Sequence, residues 1–396
     1  MIGCLTTSFP RFESDYAGSF VLQMARAFAA RGHEIEVVAP SDPETRTDDA
    51  WLPAGISVRR VRYAWPDSLQ KLFYGAGAPD NLRMNPVASA GVLPALLQFY
   101  RAVKSSRYDR LISHWLIPSS FAAAAASGGR PHLAFAHSSD VHMMARLPFA
   151  GRMAAFVASR STRTGFSSQG LKEKFLNLMT DRNRRRLENS CIHLPVGVVS
   201  PFENFRPDRQ KIRESMKLNG FVVLCMGRFV PVKGYDVLLR AAGRHLADAY
   251  LIFAGEGPDE RALHDFARNM GVKAFFPGVV MGSRKAELFA AADAFCAPSR
   301  VLRDGRREGT PVSVLEAQAA GLPVVACRSG GIESIIEHGK TGLLAGPDDV
   351  DALGSALKKL RYDPLLSRNL VVNAQRCVQG RTWNCLMPLY ENALLL

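Results

Sequence analysis

Two glutamates eight positions apart, Glu308 and Glu316, frame the segment Glu308-Gly309-Thr310-Pro311-Val312-Ser313-Val314-Leu315-Glu316-Ala317. Thr310 is placed to cap a helix that has Pro311 at its first position, where the missing N–H costs nothing. The amides that open such a helix form an anion site suited to a diphosphate. Glu308 then stands just outside the helix start and Glu316 between one and two turns along it. Two carboxylates so placed reach opposite ends of an extended ligand, one near a sugar and one near a ribose. Taken alone, a capped surface helix with incidental acids explains the same residues equally well.

The segment does not stand alone. Met226-Gly227-Arg228-Phe229-Val230-Pro231-Val232-Lys233-Gly234 follows an apolar strand-like run. Its glycine permits close backbone approach to a ligand. Arg228 and Lys233 offer fixed positive charge, which suits a pyrophosphate and the charge that grows on it as a leaving group. The bland alternative is a solvated basic loop. Ala254-Gly255-Glu256-Gly257-Pro258 and Ser329-Gly330-Gly331-Ile332-Glu333 are further glycine turns after strand-like runs. Four glycine turns at strand ends in one half of the chain are hard to ascribe to chance.

The elements that must hold these turns follow a repeating pattern. Strand-like runs at 2–6, 34–39, 111–114, 132–136 and 164–167 alternate with helical stretches, the first of them 17–30, ended by Arg31-Gly32. The pattern closes with a strand at 191–195 and restarts after an aperiodic linker at 197–207. A second series of strands follows at 221–226, 250–254, 274–276, 294–297 and 323–327. This rhythm predicts an α/β chain with two doubly wound parallel-sheet domains, and ligands belong at the carboxyl ends of such strands, in the central cleft the two domains face.

At this point a resemblance can be named. The stretches GRFVPVKGYDVLLRA, FAGEGP, EGTPVSVLEAQAAGLPVVA and SGGIESIIEHGKTGLL resemble the donor-binding domain of family 4 retaining glycosyltransferases of the GT-B fold (glycosyl transferases group 1). Glu308 and Glu316 match that family's E-x7-E motif. The resemblance implies that Arg228 and Lys233 hold the donor diphosphate, that Glu308 contacts the transferred sugar, and that Glu316 binds the ribose hydroxyls. Glu256, Gly309, Thr310, Pro311 and Val312 would complete the donor cradle. The first half is similar more loosely. Ala17-Gly18 and Arg31-Gly32-His33-Glu34-Ile35-Glu36-Val37 resemble the family's opening, with Gly18 at the phosphate loop and Ala17 where a second glycine is usual. Ala136-His137-Ser138-Ser139-Asp140 resembles a His-Gly-x-Asp segment, with Ser138 in place of glycine. His137 would then act beside the reacting sugar, whereas a lone histidine is ordinarily structural. Leu194-Pro195-Val196-Gly197-Val198-Val199 resembles the family's hinge with Val199 in place of Asp, and 381–394 its final helix. The expected layout is an acceptor domain at 1–198, a donor domain at 199–380, and a terminal helix at 381–396 that returns to the first domain.

The expected reaction is transfer of a sugar from a nucleoside diphosphate sugar to an acceptor hydroxyl. Arg228 and Lys233 would assist departure, Glu308 and His137 would hold the sugar, and the attack would come from the leaving group's own face. No cofactor is expected beyond the nucleotide sugar, and no metal, since no Asp-x-Asp is placed to bridge a metal and a diphosphate and no cluster of His or acids has metal spacing. Rival readings are a GT-B epimerase or phosphorylase and a non-catalytic GT-B scaffold. A nicotinamide oxidoreductase would need a Gly-x-Gly-x-x-Gly after the first strand, and there is none.

Composition bears on partners and place. The chain has 396 residues with 47% hydrophobic and 22% charged, ordinary for a protein with packed cores. Seven cysteines without pairing or ligand spacing suit a reducing cytoplasm. The apolar start Met1-Ile2-Gly3-Cys4-Leu5 reads as a buried strand and not a signal peptide. No run approaches the roughly 20 apolar residues of a membrane span. Of the net charge of +14, +10 lies between Arg101 and Ser200, most densely at Arg182, Arg184, Arg185 and Arg186. A solvated face is the plain explanation. The functional one is peripheral contact with anionic lipid and a lipid-linked or phosphate-bearing acceptor at the inner membrane face, while nucleic acid ranks last. The stretch 65–86 is expected to be a long acceptor-facing loop.

Overall fold

The computed structural model describes residues 1–45, 49–75, 77–203 and 205–395. The chain divides into two compact units. One comprises Met1–Gly197 with the segment that begins at Trp383, and the other is Val198–Thr382. The division thus falls at Gly197 and Thr382, where 198 and 380 were expected. Val198 joins the second unit because its N–H takes the Arg381 carbonyl at 2.9 Å and it bridges Thr382.

Among the described residues, the first unit holds seven parallel strands: β1 (Ile2–Leu5), β2 (Ile35–Pro40), β3 (Ile56–Val61), β4 (Arg110–His114), β5 (His132–Ala136), β6 (Arg163–Phe166) and β7 (Cys191–His193). Their order is β3-β2-β1-β4-β5-β6-β7. The second holds six: β8 (Val222–Met226), β9 (Tyr250–Ala254), β10 (Lys273–Gly278), β11 (Ala294–Ala297), β12 (Val324–Cys327) and β13 (Leu343–Ala345), ordered β10-β9-β8-β11-β12-β13. In each sheet the direction of winding reverses once, between β1 and β4 and between β8 and β11. Those are the switch points where doubly wound sheets open a crevice for ligands.

Why these runs became strands is visible in their burial. Val223 and Cys225 of β8 pack into one apolar layer, while Val222 and Leu224 pack into the layer on the opposite face. Side chains alternate across a strand, so a strand apolar at every position must be covered on both sides. The helix Ser19–Ala30 buries Val21, Leu22, Met24, Ala25 and Phe28, a helical repeat, and stops where Gly32 adopts φ +85°.

The edge strands β3 and β13 were not anticipated from sequence. β3 alternates buried and open positions and carries Arg59 and Arg60, and β13 is three residues long, so neither shows a sustained apolar run. The stretch 65–86 is also more ordered than a long loop. It contains a 3-10 turn at Asp67–Leu69 and a helix at Ala78–Met84, because Leu72, Phe73 and Tyr74 bury themselves with Tyr63 and Ala95. Ala76 lies outside the described residues.

The last helix, Trp383–Leu395, packs on the first unit. Tyr390 Oη donates to the Pro195 carbonyl at 2.9 Å, and Glu391 accepts from Arg31 at 2.8 Å. A side chain at Gly197 would stand 2.4 Å from the Trp383 ring, which explains the glycine there. Among the described residues, no helix is long and apolar enough to cross a membrane.

Candidate active site

In the second unit, the switch point gathers the loops after β8 and β11. Lys233 Nζ donates to Glu308 Oε2 at 2.7 Å, and Ser299 Oγ, two residues past β11, donates to the same oxygen at 3.1 Å. The Gly309 N–H approaches Glu308 Oε1 at 3.2 Å. Burial alone would raise the Glu308 pKa, but the charge and hydrogen bond of Lys233, aided by Ser299 and the Gly309 amide, outweigh it and hold the carboxyl below its ordinary range. Glu308 is therefore a fixed anion with a cation on one oxygen.

Glycines make this possible. Gly331 donates its N–H to the Glu308 carbonyl at 3.2 Å, and a Cβ there would sit 2.3 Å from the Gly309 carbonyl oxygen. A Cβ on Gly255 would meet the Gly227 carbonyl at 2.1 Å, and one on Gly257 the Phe229 carbonyl at 2.4 Å. The four glycine turns singled out in the sequence thus serve first to let strand-end backbones touch one another. Glu256 illustrates this: its carbonyl accepts the Phe229 N–H at 2.7 Å, while its side chain is exposed. Arg228 lies between Gly227 and Phe229, half-buried, at the same strand end.

The helix carrying the second glutamate begins one residue later than expected. It runs Val312–Ala319, and Pro311 occupies the cap position with an extended backbone (φ −73°, ψ 111°) and contributes no side-chain cap bond. The expected roles of Thr310 as cap and Pro311 as first helical residue are corrected accordingly. The reason lies in the backbone contacts of Gly330 and Gly331 with Glu308 and Gly309, which keep the chain extended up to the proline. Glu316 is buried and accepts from Lys285 Nζ at 2.5 Å. Lys285, on the helix Gly282–Ala291, gave no sequence signal, since a lysine on an amphipathic helix is ordinarily solvated. Ser299 was legible in principle, as a hydroxyl directly beyond a strand at a switch point.

In the first unit, Gly18 (φ +63°) starts the helix Ser19–Ala30, and a Cβ there would lie 2.1 Å from the Ser8 carbonyl of the loop after β1. His137 follows β5. Its Nε2 lies 3.3 Å from Nδ1 of His114, the last residue of β4, and its ring packs at 4.7 Å from Trp115 and 5.1 Å from Phe20. Sequence reasoning missed His114 and Trp115, although both stand at a strand end. Burial, followed by the neighbouring His114, holds His137 well below the usual histidine range, so the ring is neutral. Asp140 accepts from the amides of Leu116 at 2.8 Å and His137 at 2.9 Å. Burial lifts its pKa to about 7 in spite of these bonds. Among the described residues, no three His, Cys, Asp or Glu side chains gather as a metal site.

Comparison with known proteins agrees with this geometry. Residues 17–189 match the family model for the glycosyl transferase 4-like domain, and residues 208–376 the one for glycosyl transferases group 1. A relative from Mycolicibacterium smegmatis, a GDP-mannose-dependent alpha-(1-6)-phosphatidylinositol monomannoside mannosyltransferase, is 32% identical over 312 residues, covering 73% of this chain and 78% of the relative. The chain belongs to the family 4, group 1 glycosyltransferases. This glycosyltransferase is also 27% identical to a D-inositol 3-phosphate glycosyltransferase of Acidothermus cellulolyticus, over 95% of this chain and 85% of the relative. Among solved structures, Anabaena HepE in complex with UDP and glucose matches the whole of both chains with a TM-score of 0.73 at 18% identity. The lipopolysaccharide glycosyltransferase WaaG does so with a TM-score of 0.69 at 18%. These likenesses establish the two-domain, Rossmann-like GT-B fold of the glycosyltransferase.

Proposed function

We propose that this glycosyltransferase moves a mannosyl residue from GDP-mannose, with retention of configuration, to a hydroxyl of an inositol-based glycolipid. The observation that carries the reading is the Lys233–Glu308 pair at the β8/β11 switch point. A cation there suits the donor diphosphate, and a carboxylate held ionised beside it suits the hydroxyls of the transferred sugar. Arg228 adds a second positive charge at the same strand end, and Glu316 accepts from the ribose. In this reading the bond from C1 of the sugar to the diphosphate oxygen breaks as the acceptor oxygen bonds C1 on the same face. The acceptor's proton passes to the departing phosphate. Fixed cations stand where other enzymes use a metal ion. His137, neutral and half-buried, positions the sugar and takes no proton.

The donor and acceptor rest on relatives: the Mycolicibacterium smegmatis protein is named for GDP-mannose and a phosphatidylinositol mannoside, the Acidothermus protein for an inositol phosphate. A lipid acceptor is further supported by the surface of the first unit. Trp65, Leu69, Met84, Val87, Leu93 and Leu97 are all exposed within one stretch of chain, and the Arg62 guanidinium lies 5.0 Å over the Trp65 ring. Apolar side chains left open to solvent suit the interface of a bilayer. The Arg182–Arg186 cluster is a second candidate, in which Arg184 is engaged by Glu173 at 3.0 Å and by Asn177.

The test is to incubate the enzyme and EDTA with GDP-mannose or UDP-glucose and vesicles containing phosphatidylinositol or its monomannoside. An α-mannosylated lipid, identified by mass and by the anomeric carbon–hydrogen coupling, is the expected product. A β-linked product, strict dependence on added divalent metal, or transfer from UDP-glucose alone would overturn the reading.

A further inference from the structure

The helix that follows Lys233 opens with Tyr235, introduced by Gly234 in the left-handed region at φ +64°. Tyr235 is 4% exposed, and its ring is wedged edge-on against Phe229 at 5.6 Å and Phe253 at 5.4 Å. Its hydroxyl has no hydrogen-bond partner among the described residues. Folded proteins seldom leave a buried donor orphaned, and the exceptions call for a reason.

The position of this hydroxyl supplies one. A side chain at Gly227 would come within 3.1 Å of Tyr235 Oη, 3.2 Å of Lys233 Cε and 3.4 Å of Lys233 Nζ. The glycine, the phenol and the ammonium therefore meet at the carboxyl end of β8, too closely for a methyl on Gly227 to fit without a shift. Gly227 has φ +149° and presents bare backbone to both side chains. Lys233 Nζ is at the same time 2.7 Å from Glu308, the carboxylate on the sugar side. Burial, then the nearby Cys225, Glu308 and Cys296, push the Tyr235 pKa well up, so the phenol stays a donor.

We propose that Tyr235 is a further donor-binding residue, its hydroxyl donating to the sugar-bearing phosphate of the nucleoside diphosphate that Lys233 also contacts. The proposal rests on the donor-site reading above and extends it to a residue whose hydroxyl finds no partner within the fold. It makes an unusual demand on the stability of the free protein. Removing a hydroxyl that bonds to something in the fold destabilises, whereas removing an orphaned one is neutral or stabilising.

The experiment is Tyr235→Phe in the full chain, with thermal unfolding and calorimetric binding of UDP, GDP, UMP and GMP. The expected result is an unchanged or higher Tm without nucleotide, diphosphate affinity lower by roughly ten- to a hundred-fold, as for a bond to a charged group, and unchanged monophosphate affinity. A lower Tm without nucleotide, wild-type affinity for the diphosphate, or equal losses for mono- and diphosphates would each overturn the assignment of the hydroxyl while leaving the donor site standing. Failure of the wild-type chain to bind any of the four would overturn the donor-site reading and this assignment with it.

Discussion

The Lys285 ammonium lies 2.5 Å from Glu316 Oε1, with the two side chains only 19% and 6% exposed. A carboxylate this enclosed needs a partner, because an unpaired buried charge is far costlier than the pair. Lys285→Met is therefore expected to destabilise the second unit by about 1–3 kcal/mol and to raise the donor KM with little change in kcat. Lys285→Arg should restore most of both. Urea unfolding followed through that unit, together with steady-state kinetics, checks the prediction. Unchanged stability in Lys285→Met would mean that the pair is incidental.

The Lys233–Glu308 pair predicts a non-additive cycle. Lys233→Met leaves Glu308 enclosed without its cation and should cost about 2–4 kcal/mol. Glu308→Gln should cost less, and the double variant should be more stable than the sum of the two by at least about 1 kcal/mol. Transfer should fall by about 10²–10³-fold in Glu308→Gln although the fold persists. Additive losses in denaturant titrations would deny the coupling.

Acid stability should be divided between opposing groups. His132 is enclosed between Ser113 Oγ at 2.7 Å and Ser161 Oγ at 3.0 Å, and burial depresses its pKa to about 3, as it does for His114. Between about pH 6.5 and 3 the unfolded chain binds protons at these histidines and the fold does not, so their contribution is present above that window and is lost as pH falls through it. Glu308, depressed below its ordinary value, adds a loss at lower pH still. Asp140 works the other way. Its folded pKa of about 7 exceeds the unfolded value of 3.8, so the fold holds a proton the unfolded chain has released, and stability falls as pH rises from about 4 to 7. Unfolding free energies from pH 3.5 to 8 should therefore show a shallower acid slope in His132→Gln. In Asp140→Asn the acid slope should be steeper.

Glycines with similar backbone signs should differ sharply in tolerance. Gly271 has φ +63° with nothing within 4 Å of a Cβ, so Gly271→Ala should cost only the left-handed penalty of about 1 kcal/mol. Gly257, at φ +155°, would place a Cβ 2.4 Å from the Phe229 carbonyl oxygen and 2.7 Å from its nitrogen. Gly257→Ala should cost about 3 kcal/mol or more and weaken nucleotide binding, because it prises the β8 and β9 turns apart. Comparable Tm values for the two variants would refute the close-packed turn.

Much of this protein was legible in its residues alone. Parallel strands covered on both faces are apolar without alternation, so Val222–Met226 and Ala294–Ala297 could be placed by composition, and glycine turns after them marked where backbones converge. The resemblance of the segments around Lys233 and Glu308 identified the family before any geometry. Edge strands such as Ile56–Val61 escaped because one polar face erases the apolar run, and the helix start at Val312 shifted because contacts from Gly330 and Gly331, distant in sequence, hold Pro311 extended. Only the tertiary structure could show that Lys285 faces Glu316, that His114 abuts His137, or that the Tyr235 hydroxyl is enclosed without a partner. Residue type and local spacing determine which elements form, through propensity and periodicity. Which side chains meet across them depends on strand order and packing, and these are decided only when the sheet closes its core.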